Sequence, residues 1–112
     1  MRVIVESPFA GGFANVRYAR ECVRDCIDRG ESPFASHLLY AQKGLLDDNI
    51  PAERKKGIDA ADSWREVSDC VCVYMDNGVS AGMVEGIVRA AKLGKTIKLR
   101  WLKSATKEVI IE

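Results

Sequence analysis

No run in this chain approaches the ~20 consecutive apolar residues that cross a bilayer. The first residues pass directly into the strand-like Arg2-Val3-Ile4-Val5-Glu6-Ser7 rather than a basic then apolar leader. The expectation is therefore a cytoplasmic protein with no membrane partner. An excess of charge of one sign is lacking too, since 17 basic and 16 acidic side chains leave a net charge of +1. That balance argues against a surface that coats a nucleic-acid polymer. Histidine is reduced to His37, so no Ser-His-Asp or Cys-His nucleophile can be argued, although His37 can still hydrogen-bond a ligand. The three spaced glycines of a dinucleotide fingerprint are absent, because Gly11 and Gly12 are adjacent and no third follows at the right interval. No phosphate-gripping Lys-Ser/Thr follows a glycine loop either, which sets aside a P-loop nucleotidase.

What is present is an ordinary globular composition, 47% hydrophobic and 29% charged, in 112 residues that suit one domain, 1–112, without a linker or low-complexity tract. Cys22 and Cys26 lie one helical turn apart, and Cys70 and Cys72 share one face of a strand. These are not zinc-ligand spacings, so they read as reduced, buried thiols, with no metal and no organic cofactor expected.

The stretch Val71–Lys95 organises the chain. It reads as an apolar strand (71–75), a polar loop with glycines (76–82) and an amphipathic helix ending near Gly94. A helix that begins just beyond a strand points its free N–H groups into the loop, which favours an anionic ligand. Asp76, Asn77 and Ser80 offer polar groups there, and Gly78 and Gly82 permit close backbone approach. Met83 and Glu85 stand in the first turn of the helix, where a glutamate also suits the helix dipole.

The same order occurs at the start: a strand over 2–7, a turn at Pro8 and Gly11-Gly12, and a helix over 15–29 with Asn15 as N-cap and Gly30 just past its end. Val16, Ala19, Val23, Cys26 and Ile27 are spaced to face a core. Glu31-Ser32-Pro33-Phe34-Ala35 repeats Glu6-Ser7-Pro8-Phe9-Ala10, which suggests two similar strand exits whose phenylalanines wall a pocket for a flat ring. The segment 36–51, irregular between Tyr40 and the next helix, is too apolar for a floppy linker, with Leu38, Leu39, Leu45 and Leu46, and should fold over the sheet edge or into a subunit contact. Pro51 and Glu53 open a helix to about Val67, with Trp64 turned to the core. In the later helix, Met83, Val84, Ile87, Val88 and Ala91 are expected inward. Strands over 96–101 and 108–112 follow.

Alternating strands and helices predict an α/β fold, a small Rossmann-like (flavodoxin-like) three-layer sandwich around a parallel sheet of four to five strands. In such sheets ligands bind beyond the carboxyl ends of the strands, where strand order reverses. The two glycine loops should meet there, bringing Ser7, Phe9, Gly11, Gly12 and Asn15 opposite Asn77, Ser80, Gly82 and Met83.

The motifs SPFAGGxxNxxYA, PFASHLLY, LDDxxPxER and DxGxSxGMxEGIxxAxxxGK together resemble the nucleoside 2-deoxyribosyltransferase-like superfamily, which includes nucleoside 5′-monophosphate N-glycosidases and small, often phage-borne relatives. The resemblance implies a nucleoside or nucleotide as small-molecule partner and a homo-oligomer. It implies Glu85 as the nucleophile at the anomeric carbon, Asp76 near the base or a sugar hydroxyl, and Ser80 and Gly82 as phosphate or sugar contacts. Phe9, Gly11 and Gly12 would form the facing wall. In many members the glutamate lies four residues past the glycine, whereas Glu85 lies three past Gly82 and Gly86 takes the next place. One helical position turns a side chain by about 100°. The chain therefore reads as an N-glycosidase or deoxyribosyltransferase, or else as a module that captures a nucleotide-derived ligand uncleaved, with a purely structural domain as the third possibility.

Overall fold

The computed structural model describes residues 1–10 and 12–112. Its strands are β1 (Arg2–Glu6), β2 (Ser32–Phe34), β3 (Cys70–Tyr74), β4 (Thr96–Arg100) and β5 (Glu108–Ile111). Its helices are α1 (Phe13–Asp28), α2 (Ser36–Leu39), α3 (Pro51–Val67) and α4 (Ala81–Lys92), with a 3-10 turn over Leu102–Ser104. They make one sheet in the order β2-β1-β3-β4-β5. The first four strands are parallel, and β5 returns antiparallel to β4. The α/β sandwich expected from the sequence is what forms.

Alternation along the strands divides the core into two layers. Val3, Val5, Cys70, Cys72 and Tyr74 face α1, where Tyr18, Cys22 and Cys26 close the layer. Ile4, Val71, Val73 and Ile97 face α4 and meet Met83 and Ala90. Every residue of β3 is buried, as a central strand covered on both faces requires. All four cysteines are free and buried.

Several expectations are corrected. Helix α1 starts at Phe13 with Gly12 as its N-cap; Asn15 lies inside the helix and donates from Nδ2 to the Ala10 carbonyl. Ile27 points outward, and Tyr18 and Cys22 take its expected share of the core. On α4 the buried residues are Met83, Gly86 and Ala90, while Val84 and Val88 are exposed. The sheet-facing stripe is thus turned toward the small residues, which let the helix approach closely. Trp64 is 48% exposed; its ring stacks on Phe34 at 5.0 Å and its Nε1 donates to the Tyr40 hydroxyl at 2.8 Å. The Ser-Pro-Phe echo is not structural. Ser32 opens β2 opposite Arg2, whereas Ser7 lies beyond the end of β1. The span 41–50 is a series of turns with Leu45 exposed.

Candidate functional site

Strand order reverses between β1 and β3, since the chain leaves β1 for β2 on one side and returns to β3 on the other. At the carboxyl end of this switch point, on the α3–α4 face, lies an open cavity of about 320 Å³. Glu6, the last residue of β1, lies on the same face as Ile4 and projects its carboxylate there. Arg65 of α3 reaches it, Nη2 donating to Oε2 at 3.1 Å, with both side chains nearly excluded from solvent. Asp62 accepts from Arg65 at 2.7 Å and from Arg89 of α4 at 2.6 Å, so an alternating chain of charges binds α3 to α4 and to the sheet. Burial pushes the Glu6 carboxyl up, more than Arg65 draws it down, and Asp62 adds to the rise. Gly86 explains how the carboxylate fits, because a Cβ at that position would overlap it.

Around this floor the walls come from the loop after β1, from α2 and α3, and from the start of α4. The Ser7 hydroxyl and His37 Nε2 share a hydrogen bond of 3.0 Å, and the Phe9 ring meets the His37 ring edge-on at 5.0 Å. Burial depresses the His37 pKa to about 4, so the ring is neutral at pH 7. At the start of α4, Ser80 Oγ accepts from the Met83 N–H at 3.2 Å, and Met83 sulfur takes the Ser80 N–H in return at 3.4 Å. Arg54 of α3 lies over Gly82 and pairs with Glu85 at 3.3 Å. A guanidinium and the free N–H groups of a helix N-terminus thus stand at this end of the cavity, with the Glu85 carboxylate beside them.

Of the residues singled out in the sequence, Ser7, Phe9, His37, Ser80, Gly82, Met83 and Glu85 line the cavity. Glu85 is at the exposed rim, its carboxylate turned to Arg54. Gly12, Asn15, Asp76 and Asn77 do not line it, and Gly11 lies outside the described residues. Asp76 is bound on the α1 side: it accepts from the Tyr18 hydroxyl at 2.7 Å and from the Leu102 and Lys103 N–H groups at 2.8 and 3.0 Å. Burial works to raise its pKa, but these backbone donors and Tyr18 outweigh it and hold the carboxyl below its ordinary value. Such a carboxylate anchors the 3-10 turn rather than facing the cavity.

Residues 1–100 match the family described as "Domain of unknown function (DUF7768)". The chain belongs to that family. Among solved structures, the DUF7768 chain is similar to a 2-deoxyribosyltransferase from the psychrotolerant bacterium Bacillus psychrosaccharolyticus, with a TM-score of 0.72 and 14% identity over 90% of this chain and 72% of that one. At that identity the likeness is one of fold. No curated protein matches it.

The DUF7768 chain also brings to the cavity groups that the sequence reading passed over: Glu6, Tyr40, Arg54, Arg65 and Arg89. In the sequence Glu6 is one residue of the first strand, and Arg65 falls within the helix that Pro51 opens. Their meeting joins residues 59 apart in sequence, which no local spacing reveals. One signal was available: Gly86 within a helix is costly unless something needs its space. On the opposite face, Cys26, Glu31 and Cys72 are the group among the described residues close enough to hold a metal ion. The Arg100 guanidinium already lies there, donating to Cys26 sulfur at 3.6 Å and to both Glu31 oxygens at 2.7 Å.

Proposed function

We propose that the cavity at the β1–β3 switch point binds a nucleoside or nucleotide and that the protein cleaves or transfers at its N-glycosidic bond. The observation that carries this reading is the composition of one small cavity: carboxylates at floor and rim, an aromatic wall, and a guanidinium beside a helix start. Carboxylates are the groups that stabilise or attack an oxocarbenium-like anomeric carbon. Phe9 offers a face for a planar base, and Arg54 with the α4 N-terminus suits a phosphate or sugar oxygen. The fold likeness to a 2-deoxyribosyltransferase supports the reading. Within it Glu85 is the nucleophile that the family resemblance implies, and Ser80, Gly82 and Met83 are ligand contacts. A homo-oligomer belongs to the same proposal, with the exposed Leu39 and Leu45 as contact residues.

A second reading, capture of a nucleotide-derived ligand without cleavage, is favoured by one feature. The carboxylate of Glu85 lies half-exposed at the rim and turned to Arg54, where water competes for it. A thermal-shift screen over nucleosides and their 5′-monophosphates, with chromatography of each stabilising compound, separates the two. Stabilisation with release of free base supports cleavage, and stabilisation with the compound recovered intact supports capture. Absence of any shift across the panel rejects both.

A further inference from the structure

We infer that Glu6, and not Glu85, is the carboxylate that attacks the anomeric carbon of the bound ligand. This rests on the proposed N-glycosidic chemistry and names its nucleophile.

Four observations converge on Glu6. It ends β1 at the switch point, so its side chain enters the cavity from a central strand rather than from a rim. A group on a buried strand is held more firmly than one on an exposed helix turn. Its Oε2 is fixed by Arg65, while Oε1 accepts no hydrogen bond from the described residues. One oxygen is therefore oriented and the other left to a ligand. Gly86 supplies the space, since any side chain there would displace the carboxylate. Finally, Arg65 Nε is a buried donor without a partner among the described residues. An orphaned donor within the same buried pair is the kind of group that a bound ligand or water satisfies. Glu85 also has one oxygen held by an arginine, but it lies on an exposed helix turn, half-exposed, with no glycine clearing space for it and no orphaned donor in its pair among the described residues.

In the reaction, a lone pair of Glu6 Oε1 forms a bond to C1′ as the C1′–N bond breaks. The bonding pair leaves on the base nitrogen, which takes a proton from water. The resulting glycosyl ester is opened by water at C1′, which releases the sugar, returns the carboxylate and gives a proton to solvent. The sum is nucleoside plus water to sugar plus base. A second base in place of water would give transfer. Arg65 holds one carboxylate oxygen, aims the other at C1′ and offsets part of the cost of ionising the buried group.

The test uses 2-deoxy-2-fluoro nucleosides and their 5′-monophosphates, whose fluorine slows hydrolysis of a glycosyl ester. Intact mass and peptide mapping of the full chain locate any adduct, and base release is followed with the corresponding 2-deoxy compounds. An adduct on Glu6, with base release lowered about a thousandfold or more in Glu6→Gln and far less in Glu85→Gln, is expected. The mapping needs no variant, so it stands even where Glu6→Gln fails to fold. An adduct on Glu85, base release with no adduct on Glu6, or release that survives Glu6→Gln overturns the assignment and leaves the proposed function intact. No release and no adduct from any compound overturns both.

Discussion

At the scale of single residues, the molecule depends on what Gly86 leaves out. A Cβ there would collide with a carboxylate that cannot swing aside without giving up its bond to the buried Arg65, which would keep only Asp62. Gly86→Ala is therefore expected to cost about 1–3 kcal/mol, the range for overpacking a filled site. Helix propensity alone would favour alanine by about 1 kcal/mol. A lower midpoint in urea with an unchanged slope would bear this out, whereas a raised midpoint would mean that the carboxylate has room to move. His37 makes a second case. Its folded pKa is depressed to about 4, while in the unfolded chain it titrates near the ordinary value of 6.5. Between those values the unfolded chain binds the extra proton, so the stabilisation present above pH 6.5 is lost progressively as pH falls toward 4. Glu6 acts oppositely: its folded pKa is raised, so acidification through the range above 4.5 relieves a buried charge. The difference between wild type and His37→Gln isolates the histidine. It should shift by about 3 kcal/mol in favour of the variant from pH 7 to pH 4, and a difference that stays constant over that range would contradict the assignment.

At the scale of elements, the loop after β3 illustrates how two roles became separated. The sequence places Asp76 and Ser80 in one polar loop, four residues apart, and both looked equally suited to a ligand. The fold assigns Asp76 to the α1 face, where three donors hold it, and Ser80 to the cavity side as the cap of α4. Asp76→Ala should then destabilise the protein by about 2 kcal/mol through its lost hydrogen bonds while leaving ligand-induced stabilisation unchanged. Loss of ligand-induced stabilisation in a folded Asp76→Ala protein would return Asp76 to the site. Strand and helix positions were legible because local signals write them: Val-rich runs for β1 and β3, Pro51 for the start of α3, Gly94 for the end of α4. The inward faces were less legible. Apolar periodicity counts valines, but close packing on a sheet selects small residues, so α4 turned toward Gly86 and Ala90. Trp64 likewise had a partner outside the core, in Phe34 and Tyr40. The cavity floor was least legible of all, since it is a pairing between β1 and α3.

At the scale of the whole molecule, the two faces of the sheet carry two buried charge systems with different tasks. The system on the α3–α4 face ends in an open cavity. The one on the α1 face is closed around Arg100, which is 1% exposed and binds Glu31 through both carboxylate oxygens and Glu108 at 2.6 Å. Through these bonds β4 is tied to β5 on one side and to the α1–β2 connection on the other. Hydrogen bonds from Arg100 hold the Glu31 carboxyl below its ordinary range despite the opposing effect of burial. Arg100→Met removes the shared cation and leaves two carboxylates without it, so a loss of about 3–5 kcal/mol is expected. The loss should be uneven in space. β5 is an edge strand with Val109, Ile110 and Ile111 exposed, so it has little else to hold it once Glu108 is released. Hydrogen exchange in Arg100→Met should therefore accelerate in β5 before β1 and β3, whose residues are packed from both sides. Replacing Glu31 by Leu and Glu108 by Gln in the same chain should recover much of the stability, because the cost of breaking a buried pair lies mainly in the charge left behind. Equal acceleration in all five strands would mean instead that Arg100 serves the core as a whole.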